Sequence, residues 1–130
     1  MTAQSRRWEQ HYPTHLQGYR IDAESLAGNL ADSAGANARR FGAAPAFTQV
    51  LPNGLQAELS FADIERLSDA FAAYLSREQG LQPGDVVALQ LPNSLHYPVA
   101  VLGAWKAGLI VTNVNPLYTE RELDAQLLDS

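Results

Sequence analysis

The sequence predicts an α/β fold that combines a β-hairpin with a parallel βαβ unit. In the second half of the chain, apolar runs at 86–91 and 109–114 flank an almost wholly apolar helical segment at 95–107. A strand, a helix and a second strand in this order are typical of two parallel strands joined by a crossover connection. In the first half, an Asn53-Gly54 pair separates two short strand-like runs, which is typical of an antiparallel hairpin.

The chain divides into an N-terminal arm and the first part of a domain. Residues 1–22 are rich in aromatic and polar side chains that follow neither a helical nor a strand period, so an arm that docks on another surface is expected. Residues 23–130 carry the periodic segments and are expected to form the incomplete first part of a larger domain.

The first periodic segments predict a helix, a hairpin and a second helix. Apolar residues recur at helical spacing over 25–41, and a glycine follows as a stop signal. The hairpin strands are expected at 46–50 and 56–61, with the Asn-Gly pair supplying positive φ angles in a tight turn. The next helix should begin where the Ser60 side chain accepts a hydrogen bond from the next turn, and it should end near Gly80.

The βαβ unit carries the stronger pattern. The nearly continuous apolar run at 86–91 suits a strand that is covered on both faces, and Gly108 stands where a helix commonly ends in a left-handed residue. Thr119 and Glu122 have the spacing of a capping box, which predicts a last helix. Three leucines are expected to face inward from it: Leu123, Leu127 and Leu128. Because nothing follows this helix to cover the sheet, the chain is expected to be truncated.

Composition excludes several classes of function. Nine Lys and Arg against fourteen Asp and Glu give a net charge of −5, and no basic stripe with interleaved aromatic residues is present, which argues against nucleic-acid binding. The absence of cysteine excludes disulfide scaffolds, thiolate catalysis and cysteine zinc sites, and it fits a cytoplasmic protein. No signal peptide and no apolar run of about 20 residues is present.

Four ordered segments of the chain carry a resemblance to a known family. They are residues 71–75, 80–93, 97–108 and 113–123. Together they resemble the start of AMP-forming long-chain fatty acyl-CoA synthetases. The Leu-Pro-Asn at 91–93 recurs across the adenylate-forming superfamily, whereas Asn-Pro-Leu-Tyr-Thr at 115–119 resembles the bacterial fatty-acid branch more narrowly. The resemblance implies the N-terminal portion of the large adenylate-forming domain.

That resemblance also implies a reaction. Such enzymes join ATP and a fatty acid to an acyl adenylate, with Mg²⁺ and release of pyrophosphate, and then transfer the acyl group to coenzyme A. The family's phosphate-binding loop ending in Pro-Lys-Gly, its acidic metal ligand and its mobile C-terminal lysine have no counterpart in this sequence. No catalytic residue and no metal ligand is therefore assigned, and the 130-residue chain alone is expected to be inactive without bound cofactors.

The candidate site is the loop of Asn115, Pro116 and Leu117. It follows the carboxyl end of a parallel strand, where α/β sheets usually place ligands. In related synthetases the corresponding loop approaches the coenzyme A nucleotide, and the resemblance extends that role to these three residues. The alternative is a plain strand-to-helix connection that contains a proline and a helix cap.

Other polar and aromatic residues have structural interpretations. Lys106 is expected to be a helix C-terminal cation rather than a ligand, and the histidines to lie on the surface rather than to bind metal. The carboxylates Asp63, Glu65 and Asp69, and likewise Glu120 and Glu122, are interpreted as solvated helix starts rather than acid–base pairs. Tyr97 and Trp105 are expected to pack in the core rather than to line an acyl tunnel.

Partners follow from the same resemblance. Fatty acid, ATP and coenzyme A are the implied substrates, and homologous synthetases often dimerise through their N-terminal region. An arm that docks on its own domain is an equal alternative for that region. Because the implied substrate is a lipid, a peripheral contact with the inner membrane is also expected. The rival interpretation is a noncatalytic, self-standing binding or dimerisation module, and a complete small nucleotide-binding enzyme is disfavoured because no phosphate loop is present.

Overall fold

A computed structural model describes residues 7–20, 22, 24 and 28–130 of the chain. Two short 3-10 turns occupy the arm, at Arg7–His11 and Thr14–Leu16. Its large side chains Trp8, Tyr12 and Tyr19 are exposed. The expected boundary between arm and domain at 22/23 stays a prediction.

Helix α1 spans Leu30–Phe41 and starts later than the sequence pattern suggests. Asn29 has extended backbone, and its side chain accepts a hydrogen bond from the amide of Asp32 at 2.8 Å, so the cap defines the first turn. The predicted start at 25 is therefore wrong for residues 28 and 29, which are not helical, while residues 25–27 lie outside the described part.

Strands β1 (Pro45–Val50) and β2 (Gln56–Ser60) form the expected antiparallel hairpin. The turn differs from the prediction, because only Gly54 has a positive φ, of 82°, and Asn53 does not. The connecting loop 51–55 is closed by a bond from the amide of Gly54 to the carbonyl of Leu51 at 2.8 Å. With several residues in the loop, one left-handed residue is enough to reverse the chain.

Helix α2 spans Phe61–Ala73 and continues as a wider π-helical turn over Tyr74–Glu78. Its start is the predicted one, since Ser60 and Asp63 exchange hydrogen bonds in a capping box. The helical stretch ends just before Gly80, which has a φ of 68°, as the sequence predicts.

Strand β3 (Val86–Leu89), helix α3 (His96–Lys106) and strand β4 (Ile110–Asn113) form the βαβ unit. The two strands pair in parallel, as expected, with Leu89 opposite Asn113. Helix α3 packs closely on α2 at Gly103: a methyl group there would lie 2.8 Å from Cδ1 of Phe71 and 2.9 Å from the carbonyl oxygen of Ser68.

The described part of the sheet is covered on one face, and the cover that the run at 86–91 predicts for the other face stays a prediction. Val87 and Leu89 pack toward α3, whereas Val86 is 45% exposed and Ile110 is 56% exposed. A continuous apolar run in sequence is compatible with either arrangement, because the elements that would cover the second face need not be local.

Helix α4 spans Glu120–Asp129 and begins with the predicted capping box of Thr119 and Glu122. Its inward face is not the predicted one: Leu123 is half-buried, but Leu127 is 47% and Leu128 90% exposed. Gln126 links α4 to the sheet, since its Nε2 donates to the carbonyl of Asn113 at 2.8 Å. Within the described residues, no helix is long and apolar enough to cross a bilayer.

Candidate functional site

The candidate loop lies at the carboxyl edge of the parallel strand pair. Because Leu89 and Asn113 are opposite each other at the ends of β3 and β4, the residues that follow both strands meet at this edge. The amide of Val114 donates to the carbonyl of Leu89 at 3.0 Å, which extends the pairing by one residue, and Val114 is 4% exposed. Asn115, the next residue, is exposed.

Asn115 organises the loop through two local hydrogen bonds. Its side-chain oxygen accepts from the amide of Leu117 at 3.0 Å, and its carbonyl accepts from the amide of Tyr118 at 3.1 Å. Pro116 fixes one backbone torsion in the same turn. Leu117 consequently projects into solvent with 86% of its surface exposed. The three candidate residues therefore form an ordered turn with an exposed apolar tip.

Three side chains from other elements donate to the base of this turn. The hydroxyl of Tyr97 on α3 donates to Oδ1 of Asn113 at 3.0 Å, and Nε2 of Gln126 donates to its carbonyl at 2.8 Å. Nε2 of Gln90 lies 3.4 Å from the carbonyl of Asn115. We call Tyr97, Gln126 and Gln90 the donor set. Sequence reasoning missed it, because the partners lie between 13 and 25 residues apart and only the fold brings them together.

An apolar cavity of about 820 Å³ is lined in part by Leu89 and Gln90, which stand at the end of β3. It lies between the hairpin, α2, the end of β3 and the start of α3. Its walls are mainly aliphatic, with Gln49, Gln90 and His96 as polar members. Neither Tyr97 nor Trp105 lines it; both pack against the cluster of Leu89 and its neighbours, which confirms the core interpretation of these two residues.

Lys106 is held in an ion-pair cluster rather than at a free helix end. It lies in the last turn of α3, as predicted, and its Nζ lies 2.8 Å from Oε2 of Glu65 and 2.6 Å from Oδ1 of Asp69, both on α2. Burial disfavours the charged amine, but the hydrogen bonds that Lys106 donates to Asp69 and Glu65 outweigh this effect, so the pKa of Lys106 lies above its ordinary value. The cluster joins α2 to α3.

The carboxylates thus divide into two groups. Asp63 and Glu122 cap helix starts, as expected, and hydrogen bonds from Ser60 and Thr119 respectively hold the pKa of each below its ordinary value. Glu65 and Asp69 are not merely helix-start charges, which corrects the prediction: both bind Lys106, although the Asp69 side chain stays 62% exposed. A lysine 37 residues away along the chain gives no local signal of this pairing.

The described part of the chain contains no cluster of potential metal ligands. No group of three His, Asp or Glu side chains there is arranged to hold an ion. The described histidines are exposed, as predicted: His11, His15 and His96. Because the residues present do not suit Mg²⁺, no metal-dependent step is derived from them.

Comparisons with known proteins place the chain in a family. A model of the family described as AMP-binding enzyme matches residues 35–130. A long-chain-fatty-acid–CoA ligase of Yersinia pestis is 43% identical over 123 residues, which is 95% of this chain and 21% of the ligase. A long-chain-fatty-acid–CoA ligase of Haemophilus influenzae is 60% identical over 72 residues, covering 55% of this chain and 13% of the ligase.

A solved structure extends the likeness to three dimensions. The fatty acyl-adenylate ligase of Legionella pneumophila, determined in complex with acyl adenylate and pyrophosphate, matches with a TM-score of 0.69 and 27% identity. The match covers 84% of this chain and 19% of the Legionella ligase. The matches therefore cover between 13% and 21% of the length of these relatives.

Proposed function

The chain belongs to the family of AMP-binding enzymes, and from that premise we propose that it forms the N-terminal part of the adenylation domain of a long-chain fatty-acid–CoA ligase. The observation that supports this most directly is the 43% identity to the Yersinia pestis ligase over 95% of the chain. The narrower resemblance of 115–119 to the bacterial fatty-acid branch points the same way.

The proposed reaction has two half-reactions. In the first, a carboxylate oxygen of the fatty acid attacks the α-phosphorus of ATP, and pyrophosphate leaves. In the second, the coenzyme A thiol loses its proton, its sulfur attacks the acyl carbon, and AMP leaves. Mg²⁺ would neutralise charge on the phosphates in the first step. No group of three potential ligands for that ion is found among the described residues, so the proposal assigns none of them to it.

Within this scheme the chain contributes positioning rather than catalysis. We assign no catalytic residue to it and expect the 130-residue chain alone to be inactive. The turn of Asn115, Pro116 and Leu117 is proposed to approach coenzyme A during the second half-reaction. Its order, its exposure and its place at the carboxyl edge of β4 support that assignment.

The decisive experiment measures both half-reactions in the complete polypeptide that carries these residues. We expect palmitate-dependent exchange of pyrophosphate into ATP, and coenzyme A-dependent formation of palmitoyl-CoA with stoichiometric AMP. Acetate in place of palmitate is the control for chain length. Absence of both activities with every fatty acid tested would refute the proposal and favour a noncatalytic binding or dimerisation module.

A homodimer through the N-terminal arm is a second proposal. Trp8 is 55% and Tyr19 66% exposed, and aromatic side chains are favoured at the centres of protein interfaces. The mass in solution, measured by light scattering before and after removal of residues 1–22, tests it. A dimer that persists after the removal would contradict it.

Location in the cytoplasm with a peripheral contact at the inner membrane is proposed because the proposed substrate is a lipid. Co-sedimentation with vesicles of anionic lipid tests the contact. Recovery of all the protein in the supernatant would contradict it.

A further inference from the structure

The stretch 113–115 is held by three elements that are distant in sequence. Helix α3 contributes Tyr97, helix α4 contributes Gln126, and the segment after β3 contributes Gln90. Two of the three bonds converge on Asn113, at its side chain and at its carbonyl, at 3.0 and 2.8 Å. Backbone groups at the end of a strand need hydrogen-bond partners, and here side chains from separate parts of the fold supply them, which fixes the position of this stretch.

The next residue along the chain anchors the same stretch from within the core. Val114 is 4% exposed, and its amide is bound to β3. Immediately beyond it the chain becomes exposed, and it remains so to the tip at Leu117. A base that is bonded on several sides and an exposed tip of three residues form the arrangement expected of a ligand-contacting loop carried by a rigid scaffold.

We infer that Tyr97 and Gln126 are positioning residues, which hold the Asn115–Leu117 turn in the orientation that coenzyme A meets. This inference rests on the proposed function, since the ligand is the second substrate of that reaction. Each side chain acts on the turn through its hydrogen bond to Asn113. Loosening the base lets the tip sample other orientations, so the complex with coenzyme A weakens while the chemistry of the first half-reaction is untouched.

Two substitutions remove one donor each with little change of volume: Tyr97→Phe and Gln126→Met. Tyr97 also packs on the core, and Phe keeps that ring contact. Tyr74→Phe is the matched control, because the Tyr74 hydroxyl also takes part in one side-chain hydrogen bond, which it accepts from Nε2 of Gln79 at 2.8 Å, far along the chain from the turn. If Tyr97→Phe fails to fold, Gln126→Met carries the test, since it acts on the same residue from another helix.

The measurement is the KM for coenzyme A in the complete ligase, compared with the rate of palmitate-dependent ATP–pyrophosphate exchange, which needs no coenzyme A. We expect each substitution to raise this KM about three- to tenfold, in keeping with the loss of one hydrogen bond. The exchange rate and the kcat of thioester formation should stay within about twofold, and Tyr74→Phe should change neither.

Hydrogen exchange provides a readout that does not depend on activity. The amides of Leu117 and Tyr118 should exchange faster in both variants than in the unsubstituted protein, since both amides close the turn. An unchanged KM for coenzyme A, or an equal loss in both half-reactions, would overturn the inference while the proposed function stands. If the unsubstituted protein makes no acyl-CoA, the proposed function fails and the inference fails with it.

Discussion

The contact of α2 with α3 at Gly103 allows a prediction with a magnitude. A methyl group at this position would lie 2.8 Å from the Phe71 ring and 2.9 Å from the backbone carbonyl of Ser68. Ser68 itself is fully buried, at 0% exposure, so the backbone oxygen has no free space into which it can withdraw. Gly103→Ala therefore forces the two helices apart.

Two opposing terms decide the size of the effect. Overpacking of a core by one methyl group costs about 1–3 kcal/mol, and here one of the neighbours is rigid backbone. Alanine in place of a helical glycine offsets about 1 kcal/mol of that cost. Both contacts of the added methyl group are much shorter than van der Waals distance, so we take the upper end of the overpacking cost. We therefore expect a net loss of about 2 kcal/mol in the free energy of unfolding, which corresponds to roughly 8 °C in Tm for a chain of this size.

Gly35→Ala is the matched control. Gly35 is also buried in a helix, but its added methyl group would lie 3.1 Å from Oε1 of Glu65, the end of a flexible side chain. That side chain can move by a few tenths of an ångström, but it is also bound to Lys106, so part of the gain of about 1 kcal/mol in helix propensity is offset and the loss should stay well below that of Gly103→Ala. Urea unfolding followed by circular dichroism measures both variants. Equal stability of Gly35→Ala and Gly103→Ala would refute the steric argument.

Three further predictions concern single side chains. Lys106→Met should lower the free energy of unfolding by about 1–3 kcal/mol, since it leaves two carboxylates without their cation. If this loss disappears in 1 M NaCl, the ion pairs behave as salt-screened surface pairs and the prediction is contradicted. Hydrogen bonds from the backbone and hydroxyl of Thr119 lower the pKa of Glu122, so its contribution to stability is present above its ordinary pKa of 4.5 and is lost as the pH falls through the lowered value of the folded protein. Glu122→Gln should therefore flatten the dependence of stability on pH in that acidic window. Thermal unfolding at a series of pH values measures this dependence, and an unchanged profile would contradict the assignment. Gly54→Ala should cost about 1–2 kcal/mol because φ is 82° there, whereas Asn53→Ala should cost less, and the reverse order in urea unfolding would contradict the turn geometry.

The elements themselves could be predicted where their signals are local. Ser60 with Asp63, and Thr119 with Glu122, are separated by one helical turn, so the capping boxes are visible in the sequence and form in the structure. Gly108 has the expected left-handed backbone, with a φ of 77°, for the same reason. The late start of α1 is the exception: apolar residues at helical spacing begin N-terminal to Asn29, but the helix begins only after this cap.

The candidate site could be located in part. The turn at 115–117 follows from the order of strand, helix and strand, because parallel strands align their carboxyl ends. The side chains that hold the turn could not be predicted. The sequence predicted that the leucines of α4 face the sheet, whereas Gln126, which lies between them, makes the hydrogen bond to it. A helix's period identifies its faces, but its rotation against the sheet is decided by the tertiary contacts that it makes.

The sequence by itself determined the order and type of the elements, the hairpin, the parallel βαβ unit and the family resemblance. These depend on spacings of a few residues and on motifs read in order along the chain. Only the tertiary structure decided which charges pair, which face of α4 meets the sheet and where the apolar cavity opens. Lys106 reaches Glu65 over 41 residues because α2 and α3 approach closely at Gly103, and that approach depends on packing in three dimensions rather than on any local pattern.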